Sequence, residues 1–179
     1  MVQDFLFKVC IFGDGGVGKT SLVRRYLTGI FTGDSSMTLG VDFHMKTLKV
    51  QDKRISLQIW DFAGESRFRF LLPGYVTGSS GGIFMFDITR RASLKNFNDW
   101  LTIFTEGTKD SPIGNPPIFM VGGKLDLHDR RSVYSNDAVD LAKKFNILDY
   151  IECSAKTGEN VELIFYKLAL ELTKRAETI

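Results

Sequence analysis

Apolar runs rich in β-branched and aromatic residues alternate along the chain with stretches at helical spacing. That order predicts a mostly parallel sheet with helices on both faces. The run FLFKVCIF (5–12) reads as a buried first strand, followed after a glycine-rich loop by a helix over 19–28. Two further runs, VDFHMKTLKV and ISLQIWDF, flank a short polar turn at 51–54. Ile55, Leu57 and Ile59 alternate there with Ser56, Gln58 and Trp60, the period of a strand with one buried face. A connection this short joins antiparallel strands, so one edge strand of the six-stranded sheet runs against the others. GGIFMFDIT (81–89) and PPIFMVGG (116–123) have the unbroken apolar character of fully buried strands, and YIECSA supplies a short last one. Helices are expected over 93–105, 135–145 and 160–175, with Val161, Leu163, Ile164, Leu168, Leu170 and Leu172 as the core face of the last. Between 67 and 82 the pattern is poor, and Pro73, Gly74, Gly78 and a Ser-Ser-Gly-Gly run predict a short, interrupted, mobile helix.

The 179 residues fit one domain spanning 1–179, a monomer with enough apolar content to bury a core. Net charge is +2, with basic and acidic residues scattered, so no nucleic-acid or membrane footprint dominates. The pairs Arg24-Arg25, Arg90-Arg91 and Arg130-Arg131 read as solvated. Cys10 and Cys153 each sit in a short apolar run, which points to buried free thiols in a reducing, cytoplasmic setting. The first apolar run is too short to span a bilayer. The tail ELTKRAETI offers no cysteine for prenylation, so peripheral residence on membranes would require a lipidated tail beyond these residues.

Gly13-Asp14-Gly15-Gly16-Val17-Gly18-Lys19-Thr20 satisfies G-x-x-x-x-G-K-[ST] and lies between an apolar strand and an amphipathic helix, the context that gives this pattern its meaning. Backbone N–H groups converge on phosphate oxygens only where side chains leave room, and the following helix, beginning with Lys19, Thr20 and Ser21, adds its positive end. Lys19 brings a point charge to the outer phosphates and Thr20 a hydroxyl to Mg²⁺. A nucleoside triphosphate is the expected ligand.

Gly122-Gly123-Lys124-Leu125-Asp126-Leu127 ends a buried strand and bears on the base. An ionised Asp126 only accepts, so it can take both N1–H and the exocyclic amine of guanine, whereas adenine offers a lone pair at N1. Guanine is favoured over adenine. With these motifs in place the chain resembles the Ras superfamily of small GTPases, in its Rab-like branch, from about 5 to 175. Thr38 in MTLGVDF matches the first-switch threonine, Asp61 and Gly64 the second-switch D-x-x-G, and Ser154-Ala155-Lys156 the last guanine motif. The resemblance implies the small G-protein form of the P-loop NTPase fold and a switch that cycles between GTP and GDP with Mg²⁺. It implies that Thr38 and Asp61 complete the metal site with Thr20, and that Thr38 and Gly64 sense the γ-phosphate. It further implies that Phe31 flanks the base, Lys124 lies along it and the Ala155 N–H meets its O6. Effectors would bind the loops around 31–43 and 61–77 over Phe43, Trp60 and Tyr75, and an exchange factor and an activating protein that supplies an arginine are further implied partners. Taken alone, Phe31, Ala155 and the three aromatics would read as core or loop filler.

The chain departs from the family pattern at three places. Gly123 stands where an asparagine is expected; loss of that amide should weaken guanine binding by roughly 1–3 kcal/mol, about 5- to 150-fold. Ser35 replaces the aromatic that precedes the first-switch threonine, and this loop holds no arginine, so fast turnover would call for one from the activating partner. Glu65 replaces the glutamine that orients water. An ionised Glu accepts but cannot donate to the γ-phosphate, yet repulsion by that group also makes it a better proton acceptor. Blocking, assisting and standing idle are therefore all open to Glu65. Slow hydrolysis is the expectation, because Gly15 leaves space beside the γ-phosphate. A scaffold that holds GTP without turnover is the alternative; a P-loop kinase would need an arginine-bearing lid that the loops do not supply.

Overall fold

A computed structural model describes residues 4–33, 36–111 and 114–178. The chain runs β1 (Asp4–Phe12), α1 (Lys19–Thr28), β2 (Val41–Val50), β3 (Lys53–Phe62), a 3₁₀ segment (Ser66–Leu71), α2 (Leu72–Val76), β4 (Gly81–Asp87), α3 (Arg91–Lys95), α4 (Phe97–Thr108), β5 (Ile118–Gly123), a second 3₁₀ segment (Leu125–Arg130), α5 (Ser135–Lys144), β6 (Asp149–Glu152) and α6 (Val161–Thr178). The strands form one sheet in the order β2-β3-β1-β4-β5-β6, antiparallel only between β2 and β3. The order turns outward in both directions from β1, so the carboxyl end of β1 opens onto a crevice, the place where such sheets bind ligands.

Alternation along the inner strands feeds two cores. Val9, Ile11, Ile83 and Met85 pack with α1 and α6 on one face, while Cys10, Phe12, Phe84 and Phe86 pack with α2 to α5 on the other. Both cysteines are buried and free. The hairpin turn is tighter than the sequence suggests, and Gln51 takes a left-handed φ of 53° to close it.

Several boundaries differ from expectation for identifiable reasons. β4 stops at Asp87 rather than 89 because the Asp87 carboxylate accepts from the Thr89 N–H (2.8 Å) and hydroxyl (2.7 Å), bending the chain out of the sheet. β5 begins only at Ile118, since Pro116 and Pro117 have no N–H for a ladder. The helix expected over 93–105 is broken at Asn96 into α3 and α4. On α6 the apolar stripe is Val161, Ile164, Phe165, Leu168, Ala169 and Leu172; Leu163 is exposed and Leu170 only partly buried. The expected short, interrupted helix appears as Ser66–Leu71 followed by α2, with Pro73 in the first turn of the latter, where a missing N–H costs nothing.

Candidate functional site

The crevice beyond β1 holds a cavity of about 350 Å³. Its floor is the loop and helix start from Gly15 to Ser21, with Val17, Gly18, Lys19 and Thr20 between. Phe31, Thr38, Phe62, Gly64 and Glu65 close one side, and Met85, Lys124, Asp126, Leu127, Ala155 and Lys156 the other. Gly33, Ser36 and Met37 also line it and carry no motif that would have singled them out. Gly13, Asp14, Asp61 and Ser154, expected at the site, do not line the cavity and act on it from behind.

The floor is shaped by backbone that side chains cannot follow. Gly16 and Gly18 hold φ of 74° and 104°. A Cβ on Gly13 would fall 2.1 Å from the Met85 carbonyl oxygen. The ammonium of Lys19 is buried and donates to the carbonyls of Gly13 and Asp14, each at 2.8 Å. Burial pushes its pKa down to about 8, with the carboxylates of Asp61 and Asp14 opposing. Asp14 turns its side chain away from the cavity. It accepts from Trp100 Nε1 (2.8 Å), Asn96 Nδ2 (2.7 Å) and Arg69 (3.3 Å), and the Arg69 guanidinium lies 4.6 Å over the Trp100 ring. This carboxylate thus ties the loop to α4 and to the first 3₁₀ segment.

The arginine pairs are less uniformly solvated than the sequence suggests. Arg91 and Arg130 are exposed. Arg131 grips Glu152 through two 2.7 Å bonds, and Arg25 donates to the carbonyls of Lys156 and Thr157. Arg90, although exposed, reaches the Gly15 carbonyl at 2.6 Å.

Thr20, Thr38 and Asp61 come together from three separate segments. The Thr20 hydroxyl lies 2.5 Å from that of Thr38 and donates to Asp61 Oδ2 at 2.5 Å. Asp61 is wholly buried, and among the described residues its Oδ1 has no hydrogen-bond partner. Burial raises its pKa, opposed by the Thr20 hydroxyl. An all-oxygen set with one unused carboxylate oxygen suits a hard divalent cation.

At the other end, Ser154 is buried and donates to Asp126 Oδ1 at 2.7 Å while accepting from the Thr157 N–H at 3.1 Å, so the acceptor expected to read the base is held from below. Lys124, in the left-handed region at φ 65°, donates to the Gly16 carbonyl (2.9 Å) and to Asp87 (2.8 Å). Gly123 leaves no hole. A Cβ there would lie 2.4 Å from Met85 Cε and 3.2 Å from the Val17 carbonyl, because the thioether of Met85 fills the room an asparagine amide would take. Nothing in the local sequence signals that exchange, since Met85 lies on another strand.

Gly64 packs against the loop so closely that a Cβ would fall 2.2 Å from the Gly15 nitrogen. Gly15 itself has open room, with Gly64 as its nearest neighbour at 3.8 Å from an added Cβ. Glu65 faces the cavity with one oxygen paired to Arg67 Nε at 2.5 Å and the other, Oε1, buried and without a partner among the described residues. Ser35, singled out in the first loop, lies outside the described residues. Beneath that loop Phe43 meets Trp60 edge-on at 5.1 Å, and Trp60 lies 5.8 Å from Tyr75. Phe43 and Tyr75 are exposed.

A model of the Ras family matches residues 8–174. The Ras-related protein Rab-19 of Xenopus laevis is 38% identical over 172 residues, covering 96% of this chain and 79% of its own. Rab-19 of Homo sapiens is 35% identical over 96% of this chain and 77% of its own, and human Rab-30 is 38% identical over 97% and 83%.

Proposed function

The chain belongs to the Ras family, and from that premise we infer that the cleft binds GTP and GDP as a molecular switch and hydrolyses GTP slowly. The observation that carries the switch is the meeting of Thr38 and Asp61 at Thr20. Two segments that close one side of the cleft meet the floor at one polar point, so whatever is bound there orders both together. Thr20, Thr38 and Asp61 would hold Mg²⁺, which neutralises phosphate charge and polarises the oxygens it touches. Lys19 and the loop amides bind the phosphate chain, and Asp126, fixed by Ser154, accepts from guanine N1–H and its amine.

In the hydrolytic step water adds to the γ-phosphorus, the bond to the β–γ bridging oxygen breaks, and its electron pair stays with the departing diphosphate. Glu65 offers Oε1 to a proton of that water. Arg67 on Oε2 offsets the negative charge that would otherwise repel the phosphate. The unpaired oxygen of Glu65 and the room over Gly15 favour turnover over a scaffold that holds GTP unchanged. The Phe43–Trp60–Tyr75 cluster, with Phe43 and Tyr75 exposed over a half-buried Trp60, is the proposed effector surface, where aromatic residues commonly dominate binding. An exchange factor and an activating protein are part of the same proposal, as is a cytoplasmic location, in keeping with the free buried thiols.

Nucleotide analysis of the purified protein, followed by single-turnover GTP hydrolysis for the wild type and Glu65→Gln across pH, tests the reading. Bound GDP and slow conversion by the wild type are expected. No bound guanine nucleotide and no conversion would contradict it; a silent wild type rescued by Gln would make Glu65 a block.

A further inference from the structure

The carbonyl oxygens of the phosphate loop are capped one after another by cations. Lys19 takes those of Gly13 and Asp14, Arg90 that of Gly15, and Lys124 that of Gly16. Lys19 and Lys124 belong to the motifs described above. Arg90 belongs to none of them. It sits in the turn after β4, in the sequence ITRRAS, and that turn is built to hold it. The Arg90 N–H donates to the Asp87 carbonyl (3.0 Å), and its own carbonyl accepts from the Ser93 hydroxyl (2.6 Å) and N–H (3.0 Å). Asp87 is buried, caps the Thr89 N–H and pairs with Lys124, so the turn launching Arg90 and the lysine capping the next carbonyl share one anchor. Three cations thus hold four successive carbonyl oxygens of one loop, leaving its amide hydrogens to face the cavity.

We infer that Arg90 is an arginine supplied in cis for GTP hydrolysis, acting through the Gly15–Gly16 peptide to stabilise the charge that builds on the departing diphosphate. The inference rests on the GTPase reading of the cleft. The C=O of Gly15 and the N–H of Gly16 are two ends of one planar amide. A cation on the oxygen draws electron density along it and makes the N–H a stronger donor, as in any hydrogen-bonded chain. Among the described residues nothing accepts from the Gly16 N–H, and Gly16 lines the cavity. As the bond to the β–γ bridging oxygen breaks, negative charge passes to the diphosphate cradled by this loop. A donor strengthened in advance gains most at that moment. Arg90 is therefore a positioning residue for the reaction, and its effect belongs to the transition state more than to ground-state binding. It also supplies, from the opposite side of the loop, a guanidinium that the segment 31–38 lacks.

The test compares wild type, Arg90→Ala and Arg90→Lys in the full chain with Mg²⁺. Affinity for fluorescent GDP is measured with and without aluminium fluoride, which completes a mimic of the transferring phosphoryl group, alongside single-turnover GTP hydrolysis and thermal unfolding. Arg90→Ala should lose about tenfold in rate and about tenfold in the affinity gained on adding aluminium fluoride, while plain GDP affinity falls by less than about threefold. Its unfolding temperature should not move. Arg90→Lys, which keeps the charge but not the fork, should fall between. Equal rates and equal gains in wild type and Arg90→Ala would overturn the inference, as would a loss equally present in plain GDP binding or a wild type that gains nothing from aluminium fluoride. A wild type that takes up no GDP would overturn the GTPase reading with it.

Discussion

At the proposed phosphate end of the cleft the groups offered to a ligand are backbone amides, placed by glycines at positive φ and backed by Lys19, Arg90 and Lys124 on their carbonyls. At the base end they are side chains: Asp126 held by Ser154, Lys124 held between Gly16 and Asp87, and Met85 occupying the space over Gly123. Backbone geometry of the first kind admits no Cβ at Gly13 or Gly64, where it would meet carbonyl or amide atoms that cannot move aside. Side-chain geometry of the second kind can be rebuilt from a neighbouring strand, and Met85 is such a rebuilding. The two ends should therefore fail differently when altered.

The largest effect should come from the phosphate end. Lys19→Ala removes the buried ammonium proposed to bind the phosphates and should weaken GDP by about 100-fold or more, about 3 kcal/mol, in a displacement titration. A loss under tenfold would show that the amides suffice without it. Gly64→Ala forces a methyl against the Asp14–Gly15 peptide and should cost about 1–3 kcal/mol in urea unfolding; an unchanged midpoint would mean that the two segments separate freely. The base end should be milder. Ser154→Ala leaves Asp126 without its donor and should reduce GDP affinity by about fivefold, near 1 kcal/mol, with the hydrolysis rate of bound GTP unchanged. The smallest effect is a gain. Gly123→Asn alone must push the Met85 methyl aside, so it should tighten GDP by less than the double change Gly123→Asn with Met85→Val, the two differing by about threefold. Equal affinities would show that Met85 does not fill that space in solution.

The same contrast explains what could be read without coordinates. The phosphate loop with Thr20 was legible because its chemistry requires particular residue types at fixed spacing, Thr38 and Asp61 only through the resemblance to small GTPases, and the sheet because alternating runs such as Ile55, Leu57 and Ile59 must face a core. Partners that depend on a distant strand or turn were not. Trp100 and Asn96 on Asp14, Arg67 on Glu65, Met85 beside Gly123 and Arg90 on Gly15 have no local signature. On α6 residue type misled where spacing would not have. Leu163 and Leu170 are apolar but lie off the stripe, whereas Phe165 and Ala169, at the helical intervals i+4 and i+8 from Val161, are buried. The break at Asn96 was likewise hidden, since a helical pattern runs through it while the chain does not.

The claim on which the rest depends is that this cleft holds a guanine nucleotide by its phosphates and by Asp126. Fluorescent GDP bound in the presence of Mg²⁺ should be displaced by unlabelled GDP at micromolar concentration or below and by ADP only at about 100-fold higher concentration, the discrimination expected of an acceptor-only carboxylate facing the wrong base edge. Equal displacement by ADP, or no uptake of fluorescent GDP at micromolar concentration, would contradict it.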